Sequence, residues 1–189
     1  METRGAIASY DKESNKYELR CSSQGVHRIR DRVSELLNIE AKDLRVITTD
    51  VGGGFGMKLF NYPEYICSLF ASKKIGRPVK WISERTEAFL SDTHGRDHLT
   101  KAKMALDKNG IFLGVKINTT ANLGAYLSNF AIFIPTLAGT AMLAGCYKTP
   151  AIYVNVLGVF TNTPAIDAYR GAGRPEASFV IDRKSTRLN

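Results

Sequence analysis

Four of the five residues from 52 to 56 are glycine: Gly52, Gly53, Gly54 and Gly56, with Phe55 among them. Without Cβ atoms the backbone can approach a bound group closely and turn its N–H dipoles toward it, as a phosphate or a metal-oxo group requires. The segment Val51-Gly52-Gly53-Gly54-Phe55-Gly56-Met57-Lys58 is not a Walker A loop, because its glycines and lysine lack that spacing. It is not GxGxxG either, because Met57 stands where the third glycine belongs. A glycine-rich turn at a crowded strand end has the same composition, so these residues alone leave both roles open. The second candidate is Ala168-Tyr169-Arg170-Gly171-Ala172-Gly173-Arg174-Pro175-Glu176-Ala177. Its two arginines and a helix opened by Pro175 would make an anion seat, although an ordinary loop before a helix reads the same way. The third is Gln24, in Cys21-Ser22-Ser23-Gln24-Gly25, whose amide can donate and accept. Alone it is indistinguishable from a surface glutamine.

Other chemistries find less support. His94 and His98 are four apart, but the segment between them lacks the glutamate of HExxH and contains Gly95, so a zinc site is not expected. No serine or cysteine stands in a nucleophile elbow with a histidine partner. Cys21, Cys67 and Cys146 form no CxxC pair. They are expected to be reduced, buried structural thiols.

The elements that must position these residues follow from periodicity. Ala6–Tyr10 and Lys16–Arg20 alternate around a polar turn and predict a hairpin. Val26, Ile29, Val33, Leu36 and Leu37 have helical spacing, with Ser22 and Ser23 as candidate N-caps. Leu44–Thr49 predicts a strand leading into the glycine loop. Pro63 opens a second helix that Gly76 and Pro78 end. Val79–Ser83, Thr100–Leu106 and Ile111–Asn118 predict strands, the last two joined at Asp107-Lys108-Asn109-Gly110. Ala131–Leu143 predicts a buried helix, Ile152–Phe160 a strand, and Pro175 a last helix through Ile181. Helices and strands alternate without a βαβ repeat, which predicts an α+β fold of mixed sheets with packed helices.

The chain has 189 residues, 44% hydrophobic and 23% charged, with a net charge of +8. That composition excludes collagen, a coiled coil, a disulfide miniprotein and an acidic disordered tail. Basic residues are interspersed with Asp31, Glu35, Glu84 and Glu87, so no nucleic-acid surface is expected. No membrane span is expected, since the most apolar stretch is broken by Pro135, Thr136 and Thr140. No export signal is visible, which suits the cytoplasm.

Taken together, the segments Met1-Glu2-Thr3-Arg4-Gly5-Ala6, Ser22-Ser23-Gln24-Gly25, Asp50–Lys58, Gly76-Arg77-Pro78-Val79-Lys80-Trp81 and Ala168–Ala177 are collinear with a known pattern. The chain resembles the molybdenum-binding large subunit of the xanthine dehydrogenase, aldehyde oxidase and carbon monoxide dehydrogenase superfamily. The match covers about residues 1–183, which the resemblance implies form a partial molybdopterin-binding domain, a fragment of a longer subunit. It implies that Gln24, Phe55 and Arg170 surround molybdenum, with Gln24 hydrogen-bonding an oxygen on the metal. Gly53, Gly54, Phe55, Gly56, Arg170, Gly171 and Ala172 would line the molybdopterin cofactor. The implied activity is an oxidoreductase hydroxylating an aldehyde or heteroaromatic carbon of a small molecule, with water as oxygen source. Iron–sulfur (2Fe-2S) and FAD partner subunits would complete a hetero-oligomer, and bacterial three-subunit relatives imply the cytosine dinucleotide form of the cofactor.

Departures from the pattern narrow the expectation. Gly171 stands where carbon monoxide dehydrogenases carry a copper-binding cysteine, and Leu59 and Ala172 stand where purine-oxidising relatives carry glutamate and phenylalanine. An aldehyde-oxidase-like or other hydroxylase remains by elimination. The family's general-base glutamate lies downstream of the last motif, so no catalytic residue is assigned and the isolated chain is expected to be inactive. Lys184–Asn189 breaks the amphipathic pattern of the last helix and reads as a non-native tail. The alternative is a stand-alone phosphate- or nucleotide-binding module built on the two glycine loops.

Overall fold

The computed structural model describes residues 1–186, which form two compact units, Met1–Asp92 and the chain from Thr93 onward. The fold is α+β in both units.

The first unit is built on a four-stranded mixed sheet of order β3-β2-β1-β4. Strands β1 (Gly5–Asp11) and β2 (Lys16–Cys21) form the predicted hairpin, with Ala6 opposite Cys21 and Ala8 opposite Leu19. Strand β4 (Val79–Ile82) pairs antiparallel with β1, and β3 (Leu44–Ile47) pairs parallel with β2. Period-two alternation sends Ala6, Ala8, Tyr17, Leu19 and Cys21 into the core and leaves Ile7 and Arg20 exposed. Helix α1 (Val26–Leu37) buries Ile29 and Val33, and α2 (Pro63–Ile75) buries Tyr65 and Leu69. Helix α1 packs on β3, and α2 on β1 and β4. Asn38 and Gly76 end these helices in the left-handed conformation.

Arg4 locks this unit together. Its side chain is fully buried, with Nη1 2.9 Å from Glu64 of α2 and Nε 2.5 Å from Asp92. The guanidinium lies 3.6 Å from the Tyr62 ring centroid and donates to Ser91 Oγ at 2.9 Å. Burial pulls the Arg4 pKa down, but the hydrogen bonds to Glu64 and Asp92 outweigh it, so the charge is secured. Glu64 and Asp92 border α2 and the short helix α3 (Arg85–Ser91). Helix α3 was not predicted. Its capping box uses Glu84 and Glu87, where the usual signature has serine or threonine first.

The second unit holds a three-stranded sheet of order β5-β6-β7, from β5 (His98–Leu106), β6 (Phe112–Asn122) and β7 (Ile152–Val159). Asp107 Oδ1 accepts from the Asn109 and Ile111 amides and closes the predicted turn, with Gly110 at φ 82°. Helix α4 (Arg174–Thr186) covers one face of this sheet, where Ala177 packs with Val115, Ile117 and Leu143.

Several expectations need correction. Ala131–Leu143 is helical only over residues 133–140, wound as a π-helix at Ile134–Ala138, and only partly buried: Ala131, Ile134 and Leu143 are buried, whereas Phe133, Leu137 and Met142 are exposed. Pro135 lacks an N–H, and the hydroxyls of Thr136 and Thr140 bond back to carbonyls four residues earlier, which disturbs the regular ladder. Neither Ser22 nor Ser23 caps α1. Gly25 holds the N-cap position with no side-chain cap bond. Of the three thiols only Cys21 is buried; Cys67 and Cys146 are exposed. The tail expectation falls partly on residues 187–189, which lie outside the described residues.

Two outcomes follow from this packing. Arg4→Ala is expected to destabilise the first unit by about 3–5 kcal/mol, because it strands two carboxylates. Urea denaturation followed by the fluorescence of Trp81, the chain's single tryptophan, measures this. Burial pushes the Cys21 thiol up to about 12. The stability contributed by the neutral thiol is therefore complete below the unfolded value of 9.0 and is lost as pH rises from there toward 12. Iodoacetamide at neutral pH should label Cys67 and Cys146 and spare Cys21; native-state labelling of Cys21 contradicts its burial.

Candidate functional site

The end of β2 and the glycine loop meet at Gln24. Thr48 follows β3 and donates its hydroxyl to the Cys21 carbonyl at 2.8 Å, and its Oγ1 lies 2.7 Å from Ser23 Oγ. This use of Thr48 also ends β3 at Ile47, short of the predicted Thr49. The Gln24 backbone N–H donates to the Lys58 carbonyl at 3.0 Å. Its side-chain Oε1 accepts the Gly56 N–H at 2.8 Å. A backbone N–H can only donate, so this bond fixes which amide atom is oxygen. The amide NH2 is left to donate elsewhere, and no partner takes it among the described residues.

The loop geometry explains its composition. Gly53, Phe55 and Gly56 have φ of 89°, 52° and 99°. A Cβ on Gly54 would lie 2.5 Å from Gln24 Cδ, and one on Gly53 would lie 2.8 Å from Phe55 Cε2. The glutamine amide and the aromatic ring therefore rest directly on bare backbone, which is the close approach the glycines permit. The loop then enters a single 3₁₀ turn, Met57–Leu59, held by the Tyr62 hydroxyl on the Met57 carbonyl at 2.9 Å. Of the predicted site residues, the structure brings Gln24, Gly53, Gly54, Phe55 and Gly56 into one cluster.

Arg170, Gly171 and Ala172 lie in the second unit. Gly171, Ala172 and Gly173 all have positive φ, at 95°, 40° and 86°. The Arg174 side chain donates to the Gly171 carbonyl at 3.0 Å, which folds this loop over the start of α4. The Arg170 carbonyl is held by Arg96 Nη2 at 2.8 Å, and the Arg96 guanidinium lies 4.9 Å from the Tyr169 ring centroid. Upstream, the buried Asp167 accepts from the amides of Phe130 and Ala168. His94 joins Ile166 in an isolated bridge and His98 begins β5, so the two are not on one helix face. Burial holds His98 below the usual histidine range, with Glu176 and Asp97 opposing the shift. Among the described residues no group of three His, Cys, Asp or Glu side chains could hold a metal ion.

Sequence reasoning missed Arg96, Glu2 and Lys58 as supports of these loops. Lys58 was visible inside the glycine motif, yet its fully buried side chain, 2.8 Å from Glu2, is a tertiary fact. Arg96 carried no local signal, and Glu2, although it stands in the opening segment Met1–Ala6, carried none that pointed to the loop.

Comparison with known proteins places the site in context. The model of the molybdopterin cofactor-binding domain family matches residues 1–188. The carbon monoxide dehydrogenase large chain of Hydrogenophaga pseudoflava is 35% identical over 188 residues, covering 97% of this chain and 23% of that one. The nicotine 6-hydroxylase large subunit of Paenarthrobacter nicotinovorans is 31% identical, covering 92% and 21%. The crystal structure of quinoline 2-oxidoreductase from Pseudomonas putida 86 superposes with a TM-score of 0.88 at 32% identity, covering 96% and 25%. The chain thus spans about a quarter of the length of these relatives.

Ala172 tests the backbone geometry. An alanine at φ 40° carries a steric cost of about 1–2 kcal/mol that glycine escapes, against about 0.5–1 kcal/mol of added unfolded-state entropy. Ala172→Gly is therefore expected to leave the urea midpoint unchanged or to raise it slightly. A clear loss of stability contradicts the strained geometry.

Proposed function

This chain belongs to the molybdopterin cofactor-binding domain family, and we propose that it forms one part of the cofactor cleft in a molybdenum hydroxylase large subunit. The residues fit that group. The Gln24 amide is fixed by Gly56 with its NH2 free to donate, beside backbone that a Cβ at Gly54 would obstruct. When bound, the molybdenum–molybdopterin group supplies the redox chemistry of hydroxylation.

The chain's own residues bind and orient. In this reading Gln24 would help hold the group by donating from its amide nitrogen, while its own carbonyl stays engaged by Gly56. Gly53, Gly54, Phe55 and Gly56 would bring bare backbone against the cofactor, while the Gly53 and Gly56 N–H groups hold the loop itself through the Val51 carbonyl and Gln24 Oε1. Within the second unit, Arg170, Gly171 and Ala172 would line the cofactor as the resemblance implies, and Gly171 offers no thiolate for copper. That favours hydroxylation of an aldehyde or heteroaromatic carbon over oxidation of carbon monoxide. In this reading residues 1–183 form the partial cofactor-binding domain. The complete enzyme would sit in the cytoplasm with 2Fe-2S and FAD subunits, carrying the cytosine dinucleotide form of the cofactor.

The observation that carries this reading is the orientation of the Gln24 amide. Gln24→Glu in the intact subunit keeps an acceptor for Gly56 and removes the donor. Turnover is expected to fall about 100-fold or more, with the molybdenum content unchanged. Undiminished turnover refutes the role of Gln24. Tight nucleotide binding by the purified chain without molybdenum, measured by calorimetry, would instead support a stand-alone nucleotide module.

A further inference from the structure

A loop of four glycines cannot hold its own shape. Each unrestrained backbone residue costs about 1–2 kcal/mol to order, and glycine costs more than most. The restraint must come from outside the loop, and the structure shows where. The Glu2 backbone N–H donates to the Gly52 carbonyl at 2.9 Å. The Glu2 carboxylate accepts from Lys58 Nζ at 2.8 Å. Glu2 is held below the usual carboxylate range first by that Lys58 bond, then by the Gly52 backbone, with a smaller contribution from the Ser22 hydroxyl. A single residue thus grips the loop at its start, at Gly52, and just past its end, at Lys58.

The connections form a closed ring. From Glu2 it runs to Gly52, along the loop to Lys58, and back to the Glu2 carboxylate. Gln24 is clipped to this ring twice, by its N–H on the Lys58 carbonyl and its Oε1 on the Gly56 N–H. A Cβ on Gly52 would lie 2.9 Å from Glu2 Oε2, so the first glycine of the motif makes room for this carboxylate. Glu2 itself sits on fixed backbone. Arg85 donates to the Met1 carbonyl at 2.8 Å, and the buried Arg4 anchors the strand two residues on. A fully buried lysine is a poor source of stability, because its desolvation cancels much of the Coulomb gain. Holding two loop ends at a fixed separation is a better account of it.

We infer that Glu2, through its ion pair with the buried Lys58, is a positioning residue that sets the shape of the glycine loop and the aim of the Gln24 amide. The inference rests on the cofactor-cleft reading for its consequence, while its geometry is independent of any cofactor.

The test uses the intact subunit in its cofactor-free form, with hydrogen exchange read by mass spectrometry on peptides covering Gly52–Lys58 and α2. Glu2→Gln is expected to speed exchange in the glycine loop about tenfold or more and to leave α2 unchanged. The double variant Glu2→Gln with Lys58→Met removes the stranded charge. It is expected to recover the urea midpoint without recovering loop protection, which separates positioning from stability. The double variant carries the test if Glu2→Gln alone does not fold. Unchanged loop exchange, equal acceleration of loop and α2, or a double variant with restored loop protection each overturns the inference. Because exchange is read without cofactor, a failure here is distinguishable from a failure of Gln24→Glu to affect turnover.

Discussion

The first unit depends on the buried guanidinium of Arg4. Arg4 is encased by Glu64, Asp92, Ser91 and the Tyr62 ring, so it joins β1 to α2 and α3 at one point. The cost of burying a guanidinium is met only because several partners share it, and planar geometry lets one group serve them all. The consequence reaches the site through the chain. Two residues before Arg4 stands Glu2, and Tyr62, which stacks on Arg4, also holds the Met57 carbonyl just after the glycine loop. The loop is therefore bounded on both sides by residues that the Arg4 cluster fixes.

That arrangement resolves a conflict inherent in glycine-rich sites. Close approach to a bound group requires bare backbone, and bare backbone has the most conformational freedom to lose. Here the glycines supply access, while rigidity is imported from Gln24, Glu2, Lys58 and Tyr62. The loop of the second unit is restrained differently. Three consecutive residues with positive φ, one of them alanine, are held by Arg96 on the Arg170 carbonyl and Arg174 on the Gly171 carbonyl. Strain maintained by surrounding hydrogen bonds is common where backbone must present itself to a ligand.

The gap between motif and site is instructive in particular residues. The β1–β2 hairpin, α1 and α2 were legible because alternation and helical spacing report burial directly. Helix α3 was not, since a glutamate N-cap looks like any surface acid. The stretch Ala131–Leu143 misled because its apolar content suits a buried helix, while Pro135 and the two threonine hydroxyls disrupt it locally. Cys67 and Cys146 misled for a related reason: small or apolar neighbours in sequence do not decide which face of an element meets the core.

By itself the sequence determined the α+β class, the order of most elements, the place of the two glycine segments, and the family through five collinear motifs. These are local or additive properties, written in residue type and spacing. Only the tertiary structure decided that the Gln24 carbonyl is engaged by Gly56 and its NH2 is left to donate, and that Lys58 is buried against Glu2. It also decided that Arg96 holds the Arg170 carbonyl. Each of these joins residues more than twenty positions apart. Their energies depend on burial and on the direction of single hydrogen bonds, which residue type and spacing do not encode.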